Sequence, residues 1–225
     1  MKNLLLTSLL ALSLSSGLLA DTFTVSSVNG GAAAGSPKLN LDNLALGNSL
    51  QWADSVLKVS FTGTGQVVEG AASGLYAAPF VSGDNGVGFG SPDQPNGADT
   101  TRYLSTGIGS VILDFASHQN YFGLLWGSVD HYNTLSFYDG AALVGSFTGL
   151  HIWENANGNQ GQQGTFYVNF HDLDGSFNRV VASSSQYAFE LDNIAYSARP
   201  VPEGGATFAM LGIALAGLAA CRRKR

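Results

Sequence analysis

The chain has 225 residues, of which 45% are hydrophobic and 12% are charged, and its formal net charge is −6 at pH 7. Half of the ten cations lie near the two ends, so residues 21–200 hold five cations and fifteen acids, a formal charge of −10. An acidic surface repels phosphate backbones, which argues against nucleic acid as a partner. The central segment is long enough for one domain with a sizeable core, and it contains no cysteine, which excludes disulfides.

The first twenty residues have the pattern of a secretory signal peptide. Lys2 supplies a positive start, Leu4 to Leu14 form a short apolar core, and small residues lead to a predicted cleavage after Ala20. No cysteine follows that bond, which argues against a bacterial lipoprotein. We therefore expect residues 1–20 to direct export of the chain.

Residues 21–200 are predicted to form one all-β domain. Abundant glycine, few charges and many aromatic residues favour turns and strands over long helices. Val56 to Phe61 alternates in polarity, as a half-buried strand does, and Tyr121 to Ser128 is apolar, as in a strand covered on both faces. The Asp139-Gly140 pair between two patterned runs predicts a hairpin with a type I′ turn.

The spacing of these signals predicts the architecture. About ten short strands, with turns roughly every eight to twelve residues, favour an antiparallel two-sheet sandwich that is jelly-roll-like. A short helix is predicted near residues 48–54. Residues 82–101 are rich in Gly, Pro, Asp and Asn and are predicted to form a long surface loop.

The segment from Val201 to Arg225 joins a short motif, an apolar run and a basic end. The motif is Val201, Pro202, Glu203, Gly204 and Gly205, the run is Ala206 to Cys221, and the end is Arg222, Arg223, Lys224 and Arg225. As a helix the run would span roughly 24 Å, slightly less than the ~30 Å core of a bilayer. Because the cations resist crossing, we expect a transmembrane helix at 206–221 with the domain outside the cytoplasm.

This segment resembles the PEP-CTERM sorting signal of exosortase-dependent surface proteins of Gram-negative-type bacteria. The family pattern is Val-Pro-Glu-Pro, and Gly204 stands where the second proline is expected. The resemblance implies that an exosortase, a membrane-embedded cysteine transpeptidase-like enzyme, recognises Pro202-Glu203, cuts nearby and passes the domain to the surface. The alternative is a plain C-terminal membrane anchor that no enzyme cuts.

The domain itself resembles one group of exosortase-dependent surface proteins. The similarity is carried by Leu41 to Gly47, Gly74 to Pro79 and Tyr121 to Gly140. It implies location and processing, and no biochemical activity.

Two polar pairs, Asp42-Asn43 and Asp192-Asn193, occur in the same Leu-Asp-Asn-aliphatic setting. Sandwich domains often bring their first and last strands side by side, and carboxylate and amide oxygens suit Ca²⁺. A structural Ca²⁺ site formed by Asp42, Asn43, Asp192 and Asn193 is therefore a candidate, while ordinary Asx turns that cap strand ends are the favoured interpretation. His171 to Gly175 begins like a calcium loop, but it lacks the downstream acid, which favours a β-turn.

Aromatic residues supply a candidate ligand-binding position. Trp153 borders a polar loop and is a candidate for stacking on a sugar, whereas Trp126 lies in an apolar run and is predicted to be core. A glycan-binding, lectin-like module acting on exopolysaccharide is therefore an alternative to a structural or adhesive role.

Nothing in the sequence predicts catalysis. The four histidines are isolated and no Gly-x-Ser-x-Gly elbow occurs. Asp130, Glu154 or Glu190 would form a hydrolase site only if the fold paired two of them, since carboxylate pairs need spatial proximity alone. We expect no enzyme, and a secreted polysaccharide-active hydrolase is the second alternative.

The sequence as a whole predicts an exported, exosortase-processed protein of the cell surface or biofilm matrix. Its expected partners are an exosortase, the bacterial membrane and exopolysaccharide.

Overall fold

The computed structural model describes residues 21–28 and 30–198. This part of the chain contains fifteen strands, β1 to β15, and one short helix, α1. In chain order the strands are Phe23–Val28, Lys38–Leu39, Gln51–Ala53, Leu57–Gly63, Gln66–Glu69, Phe80–Val81, Gly97–Ala98, Arg102–Thr106, Gly109–Gln119, Tyr121–Gly127, Asn133–Asp139, Ala142–Thr148, Phe166–Asp172, Phe177–Ser184 and Phe189–Ser197. Helix α1 is Gly149–Ile152, and a 3-10 turn follows at Gln162–Gly164.

The strands form two large antiparallel sheets. Sheet A has the order β1-β13-β10-β15-β8-β5, with β2 also paired to β15, and sheet B has the order β12-β11-β14-β9-β4-β3. Strands β6 and β7 form a separate pair. From β8 to β11 the chain alternates between sheets A and B, so the two sheets cannot separate as independent units. The predicted all-β antiparallel sandwich is confirmed, and the jelly-roll description stays a prediction.

The inward faces of the two sheets share one apolar core. Trp126 of β10 stacks on Phe189 of β15 with ring centroids 4.3 Å apart, and Phe137 of β11 reaches across to Phe170 of β13 at 5.1 Å. The buried members of this core lie between Leu39 and Ile194. Residues 21–198 therefore contain a core of their own and should fold as one unit.

Two strand predictions are confirmed in detail. On β4, Leu57 and Val59 are fully buried while Lys58 and Ser60 are partly exposed, which is the alternation read from the sequence. Strand β10 is buried along its whole length. The chain must therefore cover both faces of sheet A at β10.

The predicted hairpin is confirmed, but its turn type is not. Strands β11 and β12 pair with Asp139 opposite Ala142, and Gly140 has φ of +57°. The central residues of this turn are Gly140 and Ala141, and only Gly140 has a positive φ, whereas a type I′ turn needs two such residues. Consecutive positive φ angles occur instead at Asp54 and Ser55, between β3 and β4.

The predicted helix near residues 48–54 is wrong. This region contains β3, in which Gln51 pairs with Val59 and Ala53 with Leu57 of β4. Ala53 is buried while the neighbouring Trp52 is exposed, which is the alternation of a strand. Ladder hydrogen bonds to β4 and burial of Ala53 outweigh the local helix preference.

Residues 70–101, the cover segment, lie over the outer face of sheet A. Val81 and Phe89 pack there on Tyr121, Leu125 and Tyr167 in a second, smaller apolar cluster. The prediction of a surface loop is correct for the irregular backbone and wrong for burial, since Phe89 is 1% exposed. The cover segment therefore adds a third layer to the sandwich.

The predicted signal peptide, 1–20, and the predicted sorting segment, 201–225 with its helix at 206–221, lie outside the described residues. Among residues 21–28 and 30–198, no helix has both the length and the apolar character needed to cross a bilayer.

Candidate functional site

A cavity of about 500 Å³ opens at one end of the sandwich. It lies where the end of β10, the start of β15, the cover segment and the loop after α1 come together. Its wall combines aromatic rings with hydrogen-bonding groups, namely Tyr76, Tyr132, Tyr187, Ser128, Asp130, Asn157, Gln160 and Glu190.

Glu190 forms the floor of the cavity. Its carboxylate accepts hydrogen bonds from the Ala77 N–H at 2.9 Å and from the Ser128 hydroxyl, and the residue is 1% exposed. Burial raises the pKa of Glu190 to about 7, although both hydrogen bonds oppose the shift. Ser128 has φ of +38°, an unfavourable backbone for a residue with a Cβ, and this conformation directs its hydroxyl to Glu190.

Asp130 forms one side of the cavity. The Tyr132 hydroxyl donates to Asp130 Oδ2 at 2.6 Å, and burial raises the pKa of the carboxyl while this bond lowers it. Gly158, with φ of +71°, lies so close that a Cβ there would be 2.5 Å from Asp130 Oδ2. The Gly158 N–H also donates to the Val129 carbonyl at 3.1 Å, which holds the loop after α1 against the cavity.

Tyr187 and Leu75 separate this cavity from a second, shallower one of about 280 Å³. Tyr187 is 42% exposed and Leu75 is 47% exposed. The Tyr187 ring lies against Gly107, where a Cβ would be 2.3 Å from it. The two residues form an exposed apolar ridge between two polar recesses.

A cluster of acids lies between the outer face of sheet A and the cover segment. Asp192 is 1% exposed and Asp99 is 4% exposed. Burial is the main cause that raises the pKa of Asp192 well above its ordinary value, and the nearby carboxylates of Asp99 and Asp42 add to it. Asp192 and Glu190 project from the same face of β15, two residues apart, so this strand carries both acidic features.

The fold brings together only part of the predicted Ca²⁺ set. Asp42 is close enough to Asp192 to act on it electrostatically, but Asn43 is exposed. The Asn193 amide donates to the Asn85 carbonyl at 3.0 Å and to Gln94 Oε1 at 2.5 Å, so it ties down the cover segment. In the described part of the chain, no three or more His, Cys, Asp or Glu side chains are already arranged to hold a metal ion. Asp99 is not part of the predicted set, because the sequence favours a solvated acid at this position of the loop, whereas the structure buries it.

The two tryptophan predictions have different outcomes. Trp126 is fully buried, as expected for core. Trp153 is half-buried against Phe166, with ring centroids 5.7 Å apart, and it does not line the cavity. The tyrosines of the cavity were missed because they come from separate segments that share no spacing.

Only two of the three carboxylates considered for catalysis lie in the same cavity. Asp130 and Glu190 line one cavity, whereas Glu154 is exposed outside it. Asp172 Oδ1 accepts from the Gly175 N–H at 2.8 Å, so its side chain caps the bend between β13 and β14.

The described residues thus define a β-sandwich domain with a ligand-sized pocket. Residues 200–225 match the VPDSG-CTERM motif, a sorting-signal family related to PEP-CTERM. The match spans only this segment and suggests an exported, surface-sorted protein. Searches among curated proteins and among solved structures find no match to the chain.

This match refines the interpretation of the C-terminal motif. A sorting signal is confirmed, while membership of the PEP-CTERM family itself is not. The family name places Gly at the fifth motif position, where Gly205 stands, and an acid at the third, where Glu203 stands. The absence of a second proline at Gly204 fits this related motif.

Proposed function

We propose that the chain is an adhesive surface protein whose sandwich domain binds a neutral glycan in the tyrosine-lined cavity. The supporting observation is the composition of the wall, in which Tyr76, Tyr132 and Tyr187 surround the carboxylates of Asp130 and Glu190. Sugar rings have apolar faces that stack on aromatic rings and hydroxyl rims that donate to carboxylate and amide oxygens.

Charge selects among glycans. Two carboxylates border the cavity, and residues 21–200 carry a formal charge of −10. Anionic sugars would meet repulsion, whereas neutral or amino sugars would not. An uncharged exopolysaccharide of a biofilm matrix is therefore the ligand class that fits best.

The ridge between the two cavities favours a chain of sugars over a single one. One sugar would occupy the larger recess, the next would lie on Tyr187 and Leu75, and a third would reach the recess lined by Asn48 and Gln66. An extended ligand of this kind suits an adhesive role better than capture of a free monosaccharide.

Glycan-array binding by the full chain tests the proposal, with Tyr187→Ala as the variant. Loss of the stacking ring should lower affinity at least tenfold, which corresponds to about 1.4 kcal/mol. Trp52→Ala is the matched control, because Trp52 is 54% exposed and lies outside both cavities. Trp153→Ala should also bind normally.

Two outcomes would contradict glycan binding. If no glycan on the array binds the chain, a purely structural role would be favoured. An equal loss in Tyr187→Ala and Trp52→Ala would place binding elsewhere on the surface.

We further propose that an exosortase-type enzyme processes the C-terminal segment after a helix at 206–221 has held it in the membrane. The match over residues 200–225 supports a sorting role, and the apolar run followed by Arg222 to Arg225 supports a membrane stop. Intact mass spectrometry of the surface-released protein should find a new C-terminus near Pro202 or Glu203. An intact Arg225 would instead indicate a permanent anchor.

A polysaccharide-active hydrolase is a second candidate function, favoured by the presence of Asp130 and Glu190 in one cavity. Both carboxylates already accept hydrogen bonds within the fold, which suits binding better than acid–base exchange. Turnover of polysaccharides or chromogenic glycosides by the full chain, lost in Glu190→Gln, would establish the enzyme. Absence of turnover together with array binding would support the binding module.

A further inference from the structure

Three carboxylates meet where the cover segment crosses the last strand of sheet A. Asp192 belongs to β15, Asp99 to the cover segment, and Asp42 to the chain just after β2. The Gln94 amide links Asp192 to Asp99: its Nε2 is 3.5 Å from Asp192 Oδ2 and donates to Thr101 Oγ1 at 3.0 Å, and that hydroxyl donates to Asp99 Oδ1. Asp42 is close enough to act on Asp192 electrostatically. Asp99 and Asp192 are 96% and 99% buried, since their exposed fractions are 4% and 1%.

Two oxygens of this cluster have no hydrogen-bond donor. Asp99 Oδ1 accepts from the Thr101 N–H at 2.8 Å and from Thr101 Oγ1 at 2.7 Å, but Asp99 Oδ2 has no donor among the described residues. Asp42 Oδ1 is equally buried and equally without a donor there. Buried carboxylate oxygens are costly unless a donor or a cation satisfies them.

The described part of the chain supplies no cation to the cluster. Its ion pairs join Lys58 and Arg179 to Asp114, Arg102 to Glu69, and His118 to Asp139. None of these pairs includes Asp42, Asp99 or Asp192. The chain therefore buries Asp99 and Asp192, holds the partly buried Asp42 near them, and leaves the compensating charge to come from outside the described residues.

We propose that Asp42, Asp99 and Asp192 bind a divalent cation of the calcium type. Carboxylates are its preferred ligands, and backbone carbonyls and water would complete its six to eight oxygens. The three side chains are not yet gathered as a metal centre, so the ion must draw them inward. Ca²⁺ accepts such an adaptable shell, whereas Mg²⁺ demands near-octahedral geometry and gives up its water reluctantly.

The ion would fasten the cover segment to sheet A. Gln94 and Asn85 of this segment already contact Asn193 of β15, and the Asp99 N–H donates to the Pro79 carbonyl at 2.8 Å. A cation shared by Asp99 and Asp192 would add an ionic link across the same contact. The cover segment should therefore resist proteolysis between residues 82 and 98 only while the cation is bound.

The experiment compares the full chain in chelator, in CaCl₂ and in MgCl₂. At about 1 mM Ca²⁺, a level typical of extracellular modules, the melting temperature should rise by about 5 °C or more, with a smaller rise in Mg²⁺. Tb³⁺ should luminesce when tyrosine is excited, because Tyr103 lies close to Asp99 and Asp192. An unchanged melting temperature together with silent Tb³⁺ would overturn the proposal.

Charge-neutral variants separate cation binding from ordinary packing. Asp99→Asn and Asp192→Asn should lose both the Ca²⁺ response and the Tb³⁺ signal. In chelator, Asp192→Asn should be at least as stable as the native chain, because it removes a carboxyl whose charged form is disfavoured by burial and by the neighbouring Asp99 and Asp42. Asp84→Asn, an exposed acid of the same cover segment, is the matched control and should keep the full response. A Ca²⁺ response that survives in both Asp99→Asn and Asp192→Asn would place the ion elsewhere.

Discussion

At its central strands, β10 and β15, sheet A is buried on both faces, but the two faces are built from different chemistry. On β15, Phe189 and Leu191 face sheet B, while Glu190 and Asp192 face the cover segment. The inner face gains stability from apolar area and close packing alone. The outer face holds carboxylates and hydroxyls that need donors, and the candidate functional features of the domain lie there.

A bulge in β15 arranges part of this outer face. Leu125 of β10 lies opposite Asp192, but Gly123 lies opposite Ala195, so β15 carries one extra residue between them. Asn193 lies in this bulge and has φ of +51°, and its carbonyl accepts a hydrogen bond from the Tyr167 hydroxyl at 2.8 Å. Bulges re-aim side chains next to functional sites, which is the effect seen here.

Truncation on the inner face should have the largest effect on stability. Trp126 is fully buried and stacked on Phe189, so Trp126→Ala should lower the free energy of unfolding by about 3–5 kcal/mol. Urea unfolding of residues 21–198 measures the change. Leu143→Ala, at a position 54% exposed on β12, should change it by less than about 0.5 kcal/mol. A loss under about 2 kcal/mol at Trp126 would mean that the core does not depend on this contact.

On the outer face, loss of one oxygen atom should be costly. Tyr167→Phe keeps the buried ring but leaves the Asn193 carbonyl without its donor, which should cost about 1–3 kcal/mol. Tyr138→Phe on β11 is the control, since the described residues offer its hydroxyl no hydrogen-bond partner. If both variants unfold at the same urea concentration, the outer face is held by packing alone and the contrast between the faces fails.

Asp172 is a buried acid at the end of β13, and one of its carboxylate oxygens lacks a donor among the described residues. Unlike Tyr167, it is a buried polar group that should destabilise the domain at neutral pH. Burial raises its pKa from 3.8 to about 6, and the Asp21 carboxylate adds to the shift. As pH rises through this window the unfolded chain releases the proton first, so the native state loses stability between about pH 4 and pH 6. Asp172→Asn should therefore stabilise the domain by about 1–2 kcal/mol at pH 7 and by little at pH 4.

Urea unfolding at several pH values tests this expectation, with the exposed Asp84→Asn as control. The difference between Asp172→Asn and the native chain should grow from pH 4 to pH 6 and stay constant above it. A difference that is the same at every pH would show that the Asp172 carboxyl does not titrate in this range.

The sequence predicts the inner layer of the fold better than the outer one. The apolar run on β10 correctly indicates a strand covered on both faces, and the alternation on β4 correctly indicates a half-buried strand. Nothing indicates that residues 70–101 supply the cover. Their Gly, Pro, Asp and Asn content is that of a solvated loop, and their burial depends on a few contacts such as Phe89 against Tyr167 at 6.0 Å.

The candidate sites follow the same division. Asp42 lies near Asp192 because it follows β2, which pairs with β15, and Asp192 is part of β15. Asp99 comes close to these two residues because the cover segment crosses sheet A at this point, and no sequence pattern indicates that crossing. The cavity tyrosines likewise come from separate turns, and a single sequence does not reveal which turns meet at one end of a sandwich.

The smallest expected effect is also the most direct comparison of the two faces. Trp126→Phe removes a buried polar atom from the inner face, as Tyr167→Phe does from the outer face. The Trp126 Nε1 has no acceptor among the described residues, so its loss leaves no partner unpaired and removes a group that gains nothing from burial. The smaller ring leaves a gap that costs about 1 kcal/mol, and the two terms largely offset each other. Urea unfolding should therefore place Trp126→Phe within about 1 kcal/mol of the native chain and above Tyr167→Phe, and the reverse order would show that hydrogen bonding does not distinguish the outer face.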